Sequence, residues 1–529
     1  MLPGTVTANP MLHKKFKWLA LLGAALLGAS VVRAQPDNNK ALLDLLVKKG
    51  ILTQQEARDL ENEVNAPPPA VPAPVLPAPA VGVPATSQNV AVATKPSGQS
   101  PLFFQIGAAR FTPFGFMDLT TFYRSTNVGS GYPTSFGVIP YSNSPAGQLS
   151  ETRFTAQNSR LGMKVESDVD EAKVLAYIET DFLGQTPTAV SQTSNSALLR
   201  LRNYFVDVRL HDWEFLAGQE WSLLAPDRKG ISPLPSDLFY TLNMDGNYQA
   251  GLVWARQPQL RVVYHPNDEF AFGLSAENPD QFVGSAVTLP TTNFSATQVD
   301  NGSNGVTTPN AIPDVVAKVA YDSILGRMPF HADLAGLYRQ FRINTFGPAI
   351  NSDDSASGVG ASFNMNLGVL PNLRLVESAF LSDGGGRYTG GLAPDFVVRP
   401  PAVAGGAYTI SPIHSSSGIL GLEWQAMPKT MLSGYYSIMK IGQDYESTGN
   451  TALPYLGYGY PGSPNSQNRS IEEYTLGLIQ TFWKDPNYGA LQLITQGSYL
   501  DRKPWFVATG TPSDAHLVMF FVDVRYVLP

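Results

Sequence analysis

From residue 108 to the C-terminus the chain repeats one texture, in which apolar and polar side chains alternate over segments of about ten residues. In 160–166, Leu161, Met163 and Val165 take one side, while Arg160, Lys164 and Glu166 take the other. In 174–182, Val174, Ala176, Ile178 and Phe182 oppose Tyr177, Glu179 and Asp181. Leu420, Leu422 and Trp424 oppose Glu423 and Gln425, and Val518, Phe520, Val522, Val524, Tyr526 and Leu528 alternate with Asp523 and Arg525. A period of two belongs to strands. Charges on one face and unbroken apolar residues on the other suit a sheet with water on one side and lipid on the other. Segments 111–124 and 197–210 change parity midway, which reads as bulges.

The separators fall into two alternating classes. Short ones lie at 167–170, 211–212, 265–268, 323–329, 370–372, 428–429 and 485–488. Long ones, rich in Gly, Pro, Ser, Thr and Asn, lie at 125–157, 184–197, 222–247, 279–311, 344–355, 383–415, 443–469 and 503–514. Seven short turns and eight long loops predict sixteen strands with both ends on one side. The expected fold is all-β, a transmembrane antiparallel barrel of about 16 strands with short periplasmic turns and long extracellular loops. A soluble sandwich would not alternate its connections so regularly.

The first hundred residues are different. Lys14, Lys15 and Lys17 precede an apolar run from Trp18 to Ser30, and Val32-Arg33-Ala34 supplies small or β-branched residues at a cleavage site. That is a signal peptide over 1–34, with Met1 or Met11 as initiator. The rival, a membrane anchor, needs about 20 apolar residues, and the run is shorter. Residues 35–65 read as a periplasmic helical hairpin: Leu42, Leu43, Leu45, Leu46 and Val47 form a stripe that Gly50 ends, and Thr53 to Glu56 is a capping box. Two such short helices cannot make a core alone. They form either a coiled coil between subunits or a loosely ordered appendage. Residues 66–107 hold the Pro/Ala-rich linker, and 108–529 the barrel.

Composition agrees. Charged residues make up 15% of the chain, below the roughly 25% usual in soluble proteins. The net charge of −7 argues against a nucleic-acid partner. With no Cys and only six His, none in a metal-ligand spacing, neither a metal site nor a cofactor is expected. No nucleophile elbow or Ser–His–Asp motif appears, so the chain does not read as an enzyme. His265, His331, His414 and His516 read as solvated side chains at strand ends or in loops.

Candidate chemistry therefore lies on the lumen face. Arg160, Lys164, Arg202, Arg209, Arg261, Lys318, Arg339 and Arg374 are basic residues within strands. Mid-membrane Arg or Lys facing lipid costs about 2–4 kcal/mol, so they belong mainly inside. Glu166, Glu179, Asp181 and Asp207 partly balance them. An Arg-lined wall prefers anions and grips carboxylates in pairs of hydrogen bonds; a mixed, salt-bridged wall would be weakly selective. The third long loop, 222–247, carries Asp227, Arg228, Lys229, Asp237, Phe239 and Tyr240 with little Gly. It suits a packed loop better than a floppy outer one, the surface loop being the alternative.

Two runs then point to a family. Thr155-Ala156-Gln157-Asn158-Ser159-Arg160-Leu161-Gly162 and Tyr177-Ile178-Glu179-Thr180-Asp181-Phe182-Leu183-Gly184 resemble the DcaP-like trimeric porins. So do Leu201 to Asp207 and Ala217 to Ser222, within a similarity concentrated in residues 150–265. The resemblance implies a sixteen-stranded homotrimer, N-terminal helices associating in the periplasm, and passage of small anionic solutes such as dicarboxylates. It also implies that the third long loop narrows the pore. Barrels of this kind commonly end on an aromatic residue, whereas this chain ends Tyr526-Val527-Leu528-Pro529. The expected function is passive diffusion of small polar solutes across a bacterial outer membrane, in contact with its lipid. The alternative is a structural or adhesive barrel whose long loops bind a partner.

Overall fold

The computed structural model describes residues 100–184, 197–302, 305, 308–310 and 312–529. The signal peptide, the helical hairpin and most of the linker lie outside the described residues, as does most of the loop 184–197. Sixteen strands close into one antiparallel barrel. They are β1 (Ala109–Arg124), β2 (in two pieces, Glu151–Thr155 and Arg160–Val169), β3 (Ala172–Asp181) and β4 (Arg200–Leu210). β5 (Trp213–Trp221), β6 (Arg256–Tyr264), β7 (Phe270–Glu277) and β8 (Asp314–Leu325) follow. Next come β9 (Met328–Gly347), β10 (Ile350–Leu370), β11 (Leu373–Asp383) and β12 (His414–Met427). β13 (Thr430–Ile441), β14 (Asn468–Asp485), β15 (Gly489–Pro504) and β16 (Ala515–Val527) complete the ring. Each strand pairs with the next, and β1 meets β16 from Phe116↔Val527 to Arg124↔Met519. Closure removes every sheet edge, the requirement for backbone in hydrocarbon.

The two faces follow the alternation. Leu420, Leu422, Trp424, Phe520, Val522 and Val524 point outward and are exposed, while Glu423, Asp523 and Arg525 are buried inside. The parity change in 197–210 is a bulge: Glu179 pairs with Asn203 and Thr180 with Leu201, which leaves Arg202 outside the ladder. Arg202 and Asn203 are consequently both buried. The expected bulge in 111–124 is absent, because no register shift interrupts either ladder of β1 between these residues and their directly paired partners. Its even-numbered residues keep facing in. The apparent switch arises because Phe114, Phe116 and Phe122 are apolar residues inside the barrel, where Phe114 packs on Tyr177 and Arg160 lies over Phe116. The irregularity sits in β2 instead, whose residues 156–159 leave the ladder between its two pieces.

The short turns fall where the sequence placed them. Three long loops differ: 125–157 contains the strand piece Glu151–Thr155, 222–247 runs on to 255, and 344–355 is a tight hairpin in which β9 and β10 stay paired up to Gly347↔Ile350. Strands of 20 and 21 residues reach on the order of 70 Å, far beyond an apolar band of about 25 Å. Their outer half is therefore extracellular. There polar residues occupy both faces, which hides the strand alternation. At this level Arg342 pairs with Asp353 and holds its carboxyl below the usual range. The inner face of the hairpin receives two neighbouring loops. Tyr408 donates its backbone N–H to Thr345 Oγ1 (2.9 Å), and Asn344 N–H donates to Gln298 Oε1 (2.6 Å). At the opposite end a short strand, Phe104–Ile106, pairs back onto Ala109–Phe111, so barrel structure begins slightly before residue 108.

Candidate constriction site

The segment between β5 and β6 runs from residue 222 to 255 and is buried over most of its length. It leaves the fifth strand of the ring and is hydrogen-bonded to strands on the far side. Its first part is fixed to β8–β10. Lys318 Nζ donates to Asp227 Oδ2 (2.5 Å) and to Ala225 O (2.5 Å), and Asp227 N–H donates to Asp333 Oδ2 (3.0 Å). Asn364 and Asn366 both donate to Asp227 O, at 2.7 and 2.9 Å. His331 lies buried between Asp322 (2.9 Å) and Asp333 (3.1 Å), which corrects its reading as a solvated histidine. Strand parity turns it inward, and the two carboxylates hold it there.

Further along, both terminal nitrogens of Arg228 reach Glu423 on β12 at 2.8 Å. Leu242 N–H donates to Tyr435 Oη (3.1 Å) and Ala250 N–H to Glu473 Oε2 (2.8 Å). Gln249 reaches Ser437 Oγ (3.1 Å), and Asp245 N–H reaches Gln496 Oε1 (3.2 Å). The loop thus crosses the interior from β5 to β13–β15. Of the other residues singled out on it, Tyr240 is buried and donates to Pro235 O (2.9 Å). Asp237 accepts from Ser232 Oγ (2.8 Å). Lys229 is exposed.

Between this loop and the wall β2–β6 lies a cluster of arginines. Arg202 pairs with Glu179, and its Nη1 donates to Asp181 Oδ2 (2.9 Å). Arg200 grips the same aspartate with two bonds, 3.0 and 2.6 Å. Arg160 Nη1 stands 3.9 Å from Glu179 Oε1. Arg256 lies over the Trp221 ring at 5.1 Å, close to Arg200 and Arg202. Arg160, Arg200 and Arg202 thus share the carboxylates of Glu179 and Asp181, with the Arg256 guanidinium beside them. Arg160 Nε and Arg256 Nη1 are buried without a hydrogen-bond partner. The bulge at Arg202 is what puts it on this face.

The remaining candidates stand elsewhere. Arg261 is tied to Gln259 Oε1 (3.0 Å) and Trp221 O (2.5 Å), holding the start of the loop. Asp207 is buried with Glu214, Arg261 and Arg209 around it, and Arg209 itself is exposed at its strand end. Lys164 pairs with Glu166 at 3.3 Å. Arg339 is fully buried between Asp314 (2.9 Å) and Asp395 (2.7 Å). Sequence reasoning missed Arg200, Arg256 and Tyr248. Tyr248 sits at φ +59, a left-handed conformation rare for a bulky residue, and its hydroxyl lies 3.5 Å from Arg202 Nη2. A left-handed tyrosine has no local signal in the sequence. Among the described residues no group of three or more His, Cys, Asp or Glu is placed to hold a metal.

No family model and no curated protein matches the sequence. Solved structures do. The crystal structure of the outer membrane channel DcaP of Acinetobacter baumannii superposes with a TM-score of 0.56 at 18% identity, over 80% of this chain and 99% of that one. The two share a fold. Looser likenesses, on which nothing below rests, include an anion-selective porin from Comamonas acidovorans (TM-score 0.43, 12% identity, 79% and 99% covered). OmpT of Vibrio cholerae is another (0.41, 12%, 80% and 99%).

Proposed function

We propose that the chain is a bacterial outer-membrane diffusion channel that favours small anions, dicarboxylates among them, with loop 222–255 as its constriction. The observation that carries this reading is the arginine cluster facing the loop, in which Arg160, Arg200, Arg202 and Arg256 gather beside only two carboxylates, Glu179 and Asp181. Guanidinium suits the task because its planar fork meets a carboxylate in two parallel bonds. Of the charges named from sequence, Arg160 and Arg202, with Glu179 and Asp181, belong to this site. Asp227, Arg228 and Lys318 anchor the loop, and Arg261 positions its start. Arg209, Lys164 and the exposed Lys229 add to the positive field. The acidic net charge does not oppose this, since permeation responds to the constriction rather than to the whole chain.

The same reading carries a signal peptide removed after Ala34 and a homotrimer embedded in outer-membrane lipid, with the N-terminal helices associating in the periplasm. The test is a planar bilayer with the purified channel across a salt gradient. Open steps and a reversal potential on the anion side support the reading. A bilayer that stays silent favours the structural or adhesive barrel, and cation preference removes the arginines from the mechanism.

A further inference from the structure

On the extracellular side of the constriction lies a chamber of about 720 Å3, bounded by segments 135–138, 282–289, 389–394 and 466–468 and by Asn247, Gln249 and Trp254 of the constriction loop. No charged side chain lines it among the described residues. Its walls are aromatic or aliphatic (Trp254, Phe282, Leu392), broken by glycines and carboxamides. A lumen built only to pass small dicarboxylates has no physical need of such a chamber.

The chamber and the arginines are joined through two rings. Trp254 lines the chamber and packs edge-on against Tyr248, with centroids 5.3 Å apart. Tyr248 in turn touches Arg202. The left-handed backbone at Tyr248 turns its ring away from the chamber, although its neighbours Asn247 and Gln249 both line it. Strained backbone of this kind costs about 1–3 kcal/mol and persists only where surrounding structure holds it, commonly at ligand sites. A solute in the chamber is therefore one tyrosine away from the guanidiniums.

We propose that the channel selects carboxylates bearing an aromatic ring, the ring resting against Trp254 and Phe282 while the carboxylate turns towards Arg202, Arg160 and Arg256. This rests on the anion-channel reading and narrows its substrate class. An aliphatic dicarboxylate would leave the chamber's apolar wall in water. A neutral sugar carries no charge for the guanidiniums to attract. A ring with one carboxylate matches the apolar wall of the chamber and, beyond Tyr248, the guanidiniums.

The experiment uses the full channel in planar bilayers and titrates phenylacetate, succinate, acetate and glucose against the chloride current. Phenylacetate should half-block at a concentration several-fold below that of succinate. Trp254→Ala should raise that concentration roughly five-fold, the size of one aromatic contact, and leave succinate unchanged. Should Trp254→Ala fail to assemble, Ser285→Asp serves, since Ser285 is exposed on the chamber wall and the added charge should weaken phenylacetate selectively. Succinate blocking as well as phenylacetate, glucose blocking as well as phenylacetate, or substitutions shifting both acids equally would overturn the proposal while an anion-selective channel stands. Cation selectivity in the unmodified channel would overturn both.

Discussion

Arg228 and Glu423 join loop 222–255 to the barrel wall through two hydrogen bonds of 2.8 Å, although 195 positions separate them in sequence. The glutamate is fully buried and the arginine nearly so. Tyr435 adds a third bond to the same carboxylate (2.8 Å). Removing one member of a buried pair strands the other charge and costs about 3 kcal/mol. Arg228→Ala should therefore lower the unfolding free energy by about that amount and free part of the loop, which single-channel recording should read as a larger or noisier conductance. Unchanged conductance and stability would mean that the remaining bonds hold the loop alone.

The selectivity prediction concerns Arg160 and Arg202. Their double replacement by Ala removes two of the four guanidiniums beside Glu179 and Asp181, and leaves those carboxylates facing Arg200 and Arg256. The anion-to-cation permeability ratio should fall several-fold, with the effect shrinking as salt rises towards a Debye length of about 3 Å at 1 M. Reversal potentials give the ratio directly. An unchanged ratio would place the selectivity elsewhere.

How much of this could be read from the chain depends on whether a residue's face is set locally. Leu161, Leu420 and Phe520 face outward because the strand period is two, and the sequence states that period openly. Arg202 could be assigned inward only by allowing a bulge, and the parity change in 197–210 does signal one. Arg200 and Arg256 begin their strands, where alternation has no preceding residue to count from. The contacts of loop 222–255 with β8–β15 are tertiary choices, invisible to periodicity. His331 shows the opposite limit. Its parity pointed inward, yet only Asp322 and Asp333, nine and two positions away, explain its burial. The hairpin at 344–355 was misread because, beyond the lipid, a strand need not alternate.

Gly115 offers a test of backbone geometry. It sits at φ +147, and a Cβ there would stand 2.2 Å from the carbonyl oxygen of Arg160 on the paired strand. The collision is with backbone, which cannot rotate away. Gly115→Ala should cost at least about 2 kcal/mol and reduce the fraction that refolds into detergent micelles, read as heat-modifiable gel mobility. It should also disturb Arg160, so any folded fraction should show reduced anion preference.

Export gives a simpler check. If residues 1–34 are a signal peptide, N-terminal sequencing of protein extracted from the outer membrane should begin at Gln35. Retention of the leader would reject the cleavage site and favour a membrane-anchored form.

The subunit contact is expected on the short-stranded side of the barrel. The wall β3–β7 has strands of only 8 to 11 residues, against 20 and 21 in β9 and β10. At about 3.4 Å per residue and a tilt near 40°, such strands reach roughly 20–30 Å along the membrane normal, barely the apolar band. A wall this low protects itself best against another subunit. Its outer face carries Leu260, 66% exposed at mid-strand in β6, with Leu201 and Phe215 also outward on β4 and β5. Leu476, 73% exposed on the longer strand β14, is the matching outward leucine across the barrel. If the short wall is the trimer contact, Leu260→Glu should shift the detergent-extracted protein from trimer to monomer in light scattering. Leu476→Glu should leave the trimer intact, since a lipid-facing Glu costs only part of the 2–4 kcal/mol of a mid-membrane Arg. The reverse result would move the contact to the long-stranded side. Two intact trimers would show that neither leucine lies in it, and a monomeric parent protein would remove the trimer itself.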